Sequence, residues 1–185
     1  MRTFIAIDLD PEIKRSLSDF VRRLKKASPE GTSWAREAGM HFTLKFLGEI
    51  DDAGSEAVSR AMDEAVKPGR PFLVQVLGTG VFPNARFPRV LWVGIAPSAE
   101  LDSLQTRLES ALAEAGFERE TRPFHPHLTL GRVRSVPGVR SALTELELQK
   151  HTEFGTMTAA KIALFRSVLR PDGAEYTILK ESLFP

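Results

Sequence analysis

The chain of 185 residues carries the same order of strands and helices twice, and this repeat constrains its fold more than any other feature. Apolar strands begin at Thr3 and Arg89, and histidine-containing strands begin at His41 and His127. The members of each pair are 86 residues apart. An equal offset at two landmarks indicates an internal duplication, although chains that alternate strands and helices also produce such patterns by coincidence. We expect an α+β fold with two similar lobes, related by a pseudo-two-fold axis, around a central cleft.

The offset predicts one bilobal domain over 1–185, with a first repeat at about 1–85 and a second at about 86–185. Each lobe is expected to be an antiparallel-rich sheet backed by two helices. Apolar residues at helical spacing predict these helices near 11–26, near 52–67, after Ser98 and from Val139. Strands near 155–168 and 175–180, joined by a turn at 170–173, are predicted to close the chain.

Composition excludes several classes of protein. The 25 Lys and Arg residues nearly balance the 24 Asp and Glu residues, which excludes a general polycationic nucleic-acid coat but allows a local basic groove. The absence of cysteine excludes disulfide scaffolds, zinc–thiolate sites, iron–sulfur clusters and a Cys nucleophile. The first apolar run is interrupted at Asp8, too early for a signal peptide, and no stretch reaches membrane length. We expect a cytoplasmic monomer without a membrane segment.

Both repeats carry a His-x-Thr motif at matching positions. The two motifs are His41-Phe42-Thr43-Leu44 and His127-Leu128-Thr129-Leu130. Because side chains alternate across a strand, the His and Thr of each motif share one face, while the apolar residues point to the core. Two lobes about a pseudo-two-fold axis would bring both His–Thr pairs to one cleft.

Two imidazoles and two hydroxyls in one cleft suit metal-free cleavage of a phosphodiester. One neutral imidazole removes a proton from an attacking hydroxyl or water, and the other, protonated, supplies a proton to the leaving oxygen. Threonine hydroxyls donate hydrogen bonds to the anionic phosphoryl oxygens. The alternative is that Thr43 and Thr129 are simply good strand formers.

The chain also resembles a known family. The segment from Trp34 to Ile50, which ends His-Phe-Thr-Leu-Lys-Phe-Leu-Gly-Glu-Ile, and the segment Pro-Phe-His-Pro-His-Leu-Thr-Leu-Gly-Arg at 123–132 are similar to the RNA 2′,3′-cyclic phosphodiesterases. These enzymes, also called 2′–5′ RNA ligases, belong to the 2H phosphoesterase superfamily. Matches at 4–7, 90–94 and 173–176 extend the resemblance over nearly the whole chain.

The resemblance implies a function and a role for each motif residue. It implies hydrolysis of 2′,3′-cyclic phosphate ends of RNA or nucleotides to 2′-phosphomonoesters, without a cofactor or metal. His41 would be the proton donor and His127 the proton acceptor, while Thr43, Thr129 and Arg132 would hold the phosphate. Two alternatives stay open: 2′–5′ RNA ligation by the same site in reverse, and an RNA-end binding module without turnover.

Several residues near the motifs have more than one interpretation. Simple alternation places Arg132 on the face opposite His127, unless a bulge at Gly131 re-aims it. Lys45 is expected on the His41 face, as a source of positive potential or as a solvated lysine. His125 and His127 could form a metal pair, but no equivalent pair exists in the first repeat, and we interpret His125 as a residue at the cleft rim. A base-stacking aromatic residue is expected without the sequence identifying it. Clustered arginines that could steer RNA are Arg119, Arg122, Arg132 and Arg134.

Overall fold

The computed structural model describes residues 1–170 and 173–185, which form nine strands, four α-helices and two short 3-10 helices. The strands are β1 (Arg2–Asp8), β2 (Thr32–Trp34), β3 (His41–Glu49), β4 (Phe72–Phe82), β5 (Val90–Ile95), β6 (His127–Val133), β7 (Glu153–Ala159), β8 (Lys161–Arg170) and β9 (Gly173–Leu183). The helices are α1 (Pro11–Ala27), α2 (Asp52–Val66), α3 (Ala99–Glu114) and α4 (Arg140–Leu148).

The strands form two antiparallel sheets, which confirms the expected α+β architecture. The first sheet has the order β3-β1-β8-β9, and the second has the order β2-β6-β5-β4-β7. Apart from the additional β2, the two orders correspond strand for strand, with β3 matching β6 and β1 matching β5. Each histidine strand therefore occupies the equivalent place in its sheet.

The sheets do not coincide with the two halves of the chain. Strand β4, from the first half, pairs with β5 of the second half, while β8, from the second half, pairs with β1 of the first. The halves thus exchange strands, and each sheet is built from both. The boundary between repeats near residue 85 stays a prediction.

One hydrophobic core joins the sheets and helices. It includes the apolar faces of α1, α2 and α3 together with the inner faces of both sheets, and its largest fully buried side chains include Phe20, Phe42, Leu91 and Leu104. Helix α3 begins as expected, because the hydroxyl of Ser98 accepts a hydrogen bond from the Leu101 backbone N–H at 3.3 Å. None of the described helices has an apolar stretch long enough to cross a bilayer.

The C-terminal part differs from the sequence prediction. The single strand expected near 155–168 is two strands, because the chain leaves the second sheet at Ala160 and enters the first. The predicted turn at 170–173 includes residues outside the described part of the chain. The short strand β2 was not predicted, since three residues are too few to show a periodic pattern.

Candidate active site

The two histidine strands contact each other across the sheets. Strand β3 begins at His41 and β6 begins at His127, and these two strands are in contact. In both strands the His and Thr residues are partly exposed, while the residue that follows each of them is buried. The predicted alternation is therefore present in both motifs, and we call the shared outer face the cleft face.

A β-bulge follows each motif at the same position. In the first sheet, Ile5 lies opposite Lys45 and Ala6 lies opposite Thr43, which leaves Leu44 as the extra residue. In the second sheet, Leu91 lies opposite Gly131 and Trp92 lies opposite Thr129, so that the residue at 130 is extra. A bulge of one residue reverses the alternation beyond it.

The bulges decide which residues join the cleft face. Arg132 lies opposite Val90, and Thr129 lies opposite Trp92. Because Val90 and Trp92 are two residues apart on β5 and share a face, Arg132 lies on the same face as Thr129 and His127. The equivalent position in the first sheet is Phe46, which lies opposite Phe4 and is 69% exposed. The cleft thus presents a guanidinium from one sheet and a phenyl ring from the other.

The expectation for Lys45 was wrong, because the bulge turns this side chain to the inner face. Lys45 is only 8% exposed, and its ammonium donates to Glu109 Oε2 at 3.0 Å and to the Glu118 carbonyl oxygen at 2.7 Å. Glu109 Oε1 also lies 2.9 Å from the ammonium but outside hydrogen-bond geometry. Glu109 Oε2 accepts a further hydrogen bond from the Glu120 backbone N–H at 3.1 Å. This buried ion pair connects β3 to α3 and to the segment that leads into β6.

His41 packs within an aromatic cluster on the cleft face of the first sheet. Its ring is stacked on Phe4 and Phe165, with centroid separations of 4.6 and 5.2 Å, and forms a T-shaped contact with Tyr176 at a centroid separation of 5.0 Å. Burial in this cluster lowers the pKa of His41 from 6.5 to about 4. The carboxylate of Asp8, which lies opposite His41 in the ladder, acts in the other direction and raises this pKa. Asp8 itself is paired with Lys14 at 2.7 Å.

His127 is oriented by its own backbone. Its Nδ1 lies 2.6 Å from the carbonyl oxygen of His125, and its ring forms a T-shaped contact with Phe82 at a centroid separation of 4.9 Å. Because a carbonyl oxygen only accepts, Nδ1 carries the proton, and in the neutral ring Nε2 holds the lone pair. Burial, followed by the positive charge of Arg132, lowers the pKa of His127, against the opposing effect of the hydrogen bond to His125. His127 is therefore held as a neutral imidazole with a basic Nε2.

The other predicted residues have separate places. His125 is exposed, as expected for the rim, and the described residues contain no group of three or more side chains suited to a metal ion. Arg122 is paired with Glu120 at 2.7 Å, and Arg134 donates to the Ser33 hydroxyl at 3.3 Å. Their contribution to RNA steering stays a prediction.

Sequence reasoning missed several residues of the cleft. Asp8 lies opposite His41 in the ladder, Tyr176 contacts His41 and Phe82 contacts His127, and none of the three belongs to a His-x-Thr motif. Phe46 packs against Phe4, which is stacked on His41. Aligning the two halves at the offset of 86 would have matched Phe46 to Arg132, but only the bulge places both on the cleft face.

Comparison with known proteins agrees with this geometry. A family model described as the 2′–5′ RNA ligase superfamily matches residues 13–170. The chain belongs to this superfamily. A protein named RNA 2′,3′-cyclic phosphodiesterase, from Methanothermobacter thermautotrophicus, is 35% identical over 179 residues, which cover 96% of this chain and 95% of that protein.

Solved structures of similar proteins share the fold of this superfamily member over its whole length. The crystal structure of TT0787 from Thermus thermophilus has a TM-score of 0.81 and 28% identity, and covers 100% of this chain and 98% of that one. The crystal structure of E. coli LigT complexed with 3′-AMP has a TM-score of 0.78 and 27% identity, and covers 99% and 97%. Both matches confirm the expected fold.

Proposed function

We propose that this protein hydrolyses the 2′,3′-cyclic phosphate of RNA or nucleotide ends to a 2′-phosphomonoester, with His41 and His127 as acid and base. The main support is the matched pair of His-x-Thr strands that contact each other and carry all four side chains on their cleft faces. The relative named RNA 2′,3′-cyclic phosphodiesterase aligns over nearly the full length of both chains.

The base is His127. The hydrogen bond from Nδ1 to the His125 carbonyl leaves Nε2 as the proton acceptor, and the nearby Arg132 disfavours the charged ring. A base must be unprotonated before the reaction, and burial together with the charge of Arg132 favours that state. The hydrogen bond to His125 fixes the tautomer but acts in the opposite direction on the pKa.

The acid is His41. In the free protein, burial opposes its protonation, whereas the Asp8 carboxylate favours it. The cyclic phosphate brings a negative charge, and an anion near an imidazole favours the imidazolium. Substrate binding therefore protonates His41, so that the acid is charged when the phosphate is in place. Asp8 lies opposite His41, whereas the residue opposite His127 is Gly94, and this difference makes the two histidines unequal.

The remaining cleft residues bind the substrate. Thr43 and Thr129 donate hydrogen bonds to the phosphoryl oxygens, and Arg132 supplies positive charge from the same face. Phe46 exposes its ring on the cleft face of the first sheet, where the base of the cyclic nucleotide stacks on it.

The reaction needs two proton transfers and no other reactant than water. The water oxygen attacks phosphorus while His127 Nε2 takes its proton. The bond from phosphorus to the 3′-oxygen breaks, His41 protonates that oxygen, and the phosphate stays on the 2′-oxygen. The choice of the 3′-oxygen as leaving group rests on the family resemblance.

Turnover of 2′,3′-cyclic CMP in EDTA, followed by phosphorus NMR, tests the proposal. We expect 2′-CMP as the product, at a rate unchanged by the chelator. Arg166→Gln, an exposed change on β8, is the control variant. Binding without turnover would identify a binding module instead, a 3′-CMP product would refute the orientation, and loss of activity in EDTA that Zn²⁺ or Mn²⁺ restores would refute the metal-free mechanism.

A further inference from the structure

Lys45 and Phe46, which are adjacent on β3, have exchanged the places that their chemistry favours. The phenyl ring of Phe46 is 69% exposed, whereas Lys45 is only 8% exposed. In most folded proteins a large apolar ring is buried and an ammonium is exposed. Regular alternation from Thr43 would give that usual arrangement, with Lys45 on the cleft face and Phe46 in the interior. A local feature of the fold therefore opposes the hydrophobic pattern at these two positions.

Two irregularities in the pairing of β3 with β1 confine the reversal to Lys45 and Phe46. The first leaves Leu44 as an extra residue before Lys45, and the second leaves Leu47 as an extra residue after Phe46. Each extra residue exchanges the two faces of a strand, so a second one restores the original alternation. The two bulges together therefore change the directions of Lys45 and Phe46 and leave the motif before them unaffected.

The ion pair with Glu109 favours the inward direction of Lys45. The ammonium lies 2.9 and 3.0 Å from the two carboxylate oxygens, and it donates to the Glu118 carbonyl oxygen at 2.7 Å. In the second sheet the equivalent residue is Gly131, 86 residues later, which has no side chain to bury. The bulge of the second sheet thus turns Arg132 outward without burying a charge. The bulge of the first sheet buries a lysine, whose charge Glu109 compensates.

We propose that Lys45 and Glu109 are positioning residues, whose ion pair selects the bulged pairing of β3 and thereby presents Phe46 to the base of the substrate. A buried ion pair is weak evidence for stability, and its best-attested use is to select one register among alternatives. The inference rests on the proposed function, in which the base stacks on Phe46. The ring of Phe46 lies 6.0 Å from that of Phe4, which is stacked on His41, so a base on Phe46 adjoins the acid.

Glu109→Leu tests whether the ion pair selects the register. Without the carboxylate, the unpaired ammonium should leave the interior, and the ring at position 46 should turn inward. The chain has two tryptophans, so Phe46→Trp in protein labelled with 5-fluorotryptophan adds a third fluorine NMR signal. The shift of this signal between H₂O and D₂O measures the exposure of the ring. We expect a large shift when Glu109 is present and the small shift of a buried ring in Glu109→Leu.

The kinetic effect should appear in KM rather than in kcat. Because His41 and Thr43 precede both bulges of β3, Glu109→Leu should leave them in place. Loss of the stacked base should raise KM for 2′,3′-cyclic CMP about 5- to 150-fold, as in Phe46→Ala, while kcat changes less than about threefold. If Glu109 acts through Phe46, adding Glu109→Leu to Phe46→Ala raises KM no further.

Three further variants separate the selection of register from stability and surface charge. Leu24→Ala removes a fully buried side chain from α1, and it should lower Tm without changing KM or the exposure of the ring at 46. Glu64→Leu makes the same substitution at an exposed ion pair on α2, and it should change neither quantity. Glu109→Gln keeps an acceptor for the Glu120 N–H but lacks the charge. It is the test variant if Glu109→Leu does not fold, and it should change both quantities in the same direction.

Three outcomes would overturn the proposal. The first is a ring at 46 that stays exposed in folded Glu109→Leu and Glu109→Gln variants. The second is a further rise in KM when Glu109→Leu is added to Phe46→Ala, which would show that the carboxylate does not act through the ring. The third is an unchanged KM in Phe46→Ala. The fluorine measurement needs no substrate, so it tests the register even if the wild type does not hydrolyse cyclic CMP, a result that would refute the proposed function instead.

Discussion

Removing the ammonium from the buried pair of Lys45 and Glu109 should destabilise the protein strongly. In Lys45→Met, the Glu109 carboxylate keeps its hydrogen bond from the Glu120 N–H but loses its counter-charge. The Glu118 carbonyl oxygen loses the donor that now lies 2.7 Å away. Leaving one partner of a buried ion pair uncompensated costs about 3–5 kcal/mol. For a chain of this size, that corresponds to a fall in Tm on the order of 10 °C.

A double-mutant cycle separates the ion pair from the loss of side-chain packing. Lys45→Met, Glu109→Leu and the double variant are compared by urea denaturation and thermal melting. The double variant should recover much of the loss, because replacing a whole buried pair by apolar side chains is often nearly neutral. Recovery should be incomplete, since two backbone groups at 118 and 120 lose their partners, at about 1–3 kcal/mol for each one that stays buried.

A surface ion pair provides the matched control. Lys161 and Glu181 lie 2.6 Å apart with side chains that are 48% and 35% exposed, and pairs of this kind contribute about 0–1 kcal/mol. Lys161→Met should therefore have a small effect. The reasoning is refuted if Lys45→Met lowers the free energy of unfolding no more than Lys161→Met does, or if the Lys45 and Glu109 effects are additive.

Four further outcomes are expected. His41→Ala and His127→Ala should each remove nearly all cyclic-CMP turnover, and the double variant should be little worse than either one. His125→Ala should keep most of the activity. An inactive His125→Ala variant together with an active His127→Ala variant would show that the motif has been assigned to the wrong residues. Thr43→Val and Thr129→Val should each lower kcat/KM about 10- to 150-fold, because each loses one hydrogen bond to a charged group. Wild-type rates in both variants would show that these threonines serve only as strand formers. The kcat/KM profile should be bell-shaped in pH, and a flat profile would contradict acid–base catalysis by two histidines. The pKa of His41 is lowered from 6.5 in the unfolded chain to about 4 in the folded protein, so between these pH values the unfolded chain binds one more proton. The free energy of unfolding should therefore fall by on the order of 3 kcal/mol as the pH drops through this range. Urea titrations should show this effect in the wild type and not in His41→Phe.

Local patterns predicted the parts of the fold that depend on local chemistry. Helix α1 begins at Pro11, which suits the first helical position, and α3 begins after the Ser98 cap. The faces of the two motifs followed from strand alternation up to the bulges. The exchange of β4 and β8 between the halves was not predictable, because pairing between distant strands leaves no mark on the periodicity of either strand.

In the candidate site, too, some residues could be predicted from local sequence patterns and others could not. His41, His127 and their threonines could be named from two short motifs and an offset. Lys45 and Arg132 could not be placed, because a single extra residue at 44 or 130 reverses the direction of the side chains that directly follow it. Their burial and exposure depend on the bulges, for which neither motif contains a glycine or proline signal at the extra residue.

The exchanged strands also determine how the two sheets can move. Within the described residues the chain passes between the sheets four times, after β1, β2, β3 and β7, and both sheets share one core. A hinge between independent domains needs a boundary that few connections cross. Here, a rotation of one half of the chain against the other would break the pairing of β4 with β5 and of β8 with β1. A rotation of one sheet against the other would strain all four connections and expose the shared core. We therefore expect the distance between the two imidazoles to stay the same when a substrate binds, and heat to unfold both sheets in a single transition.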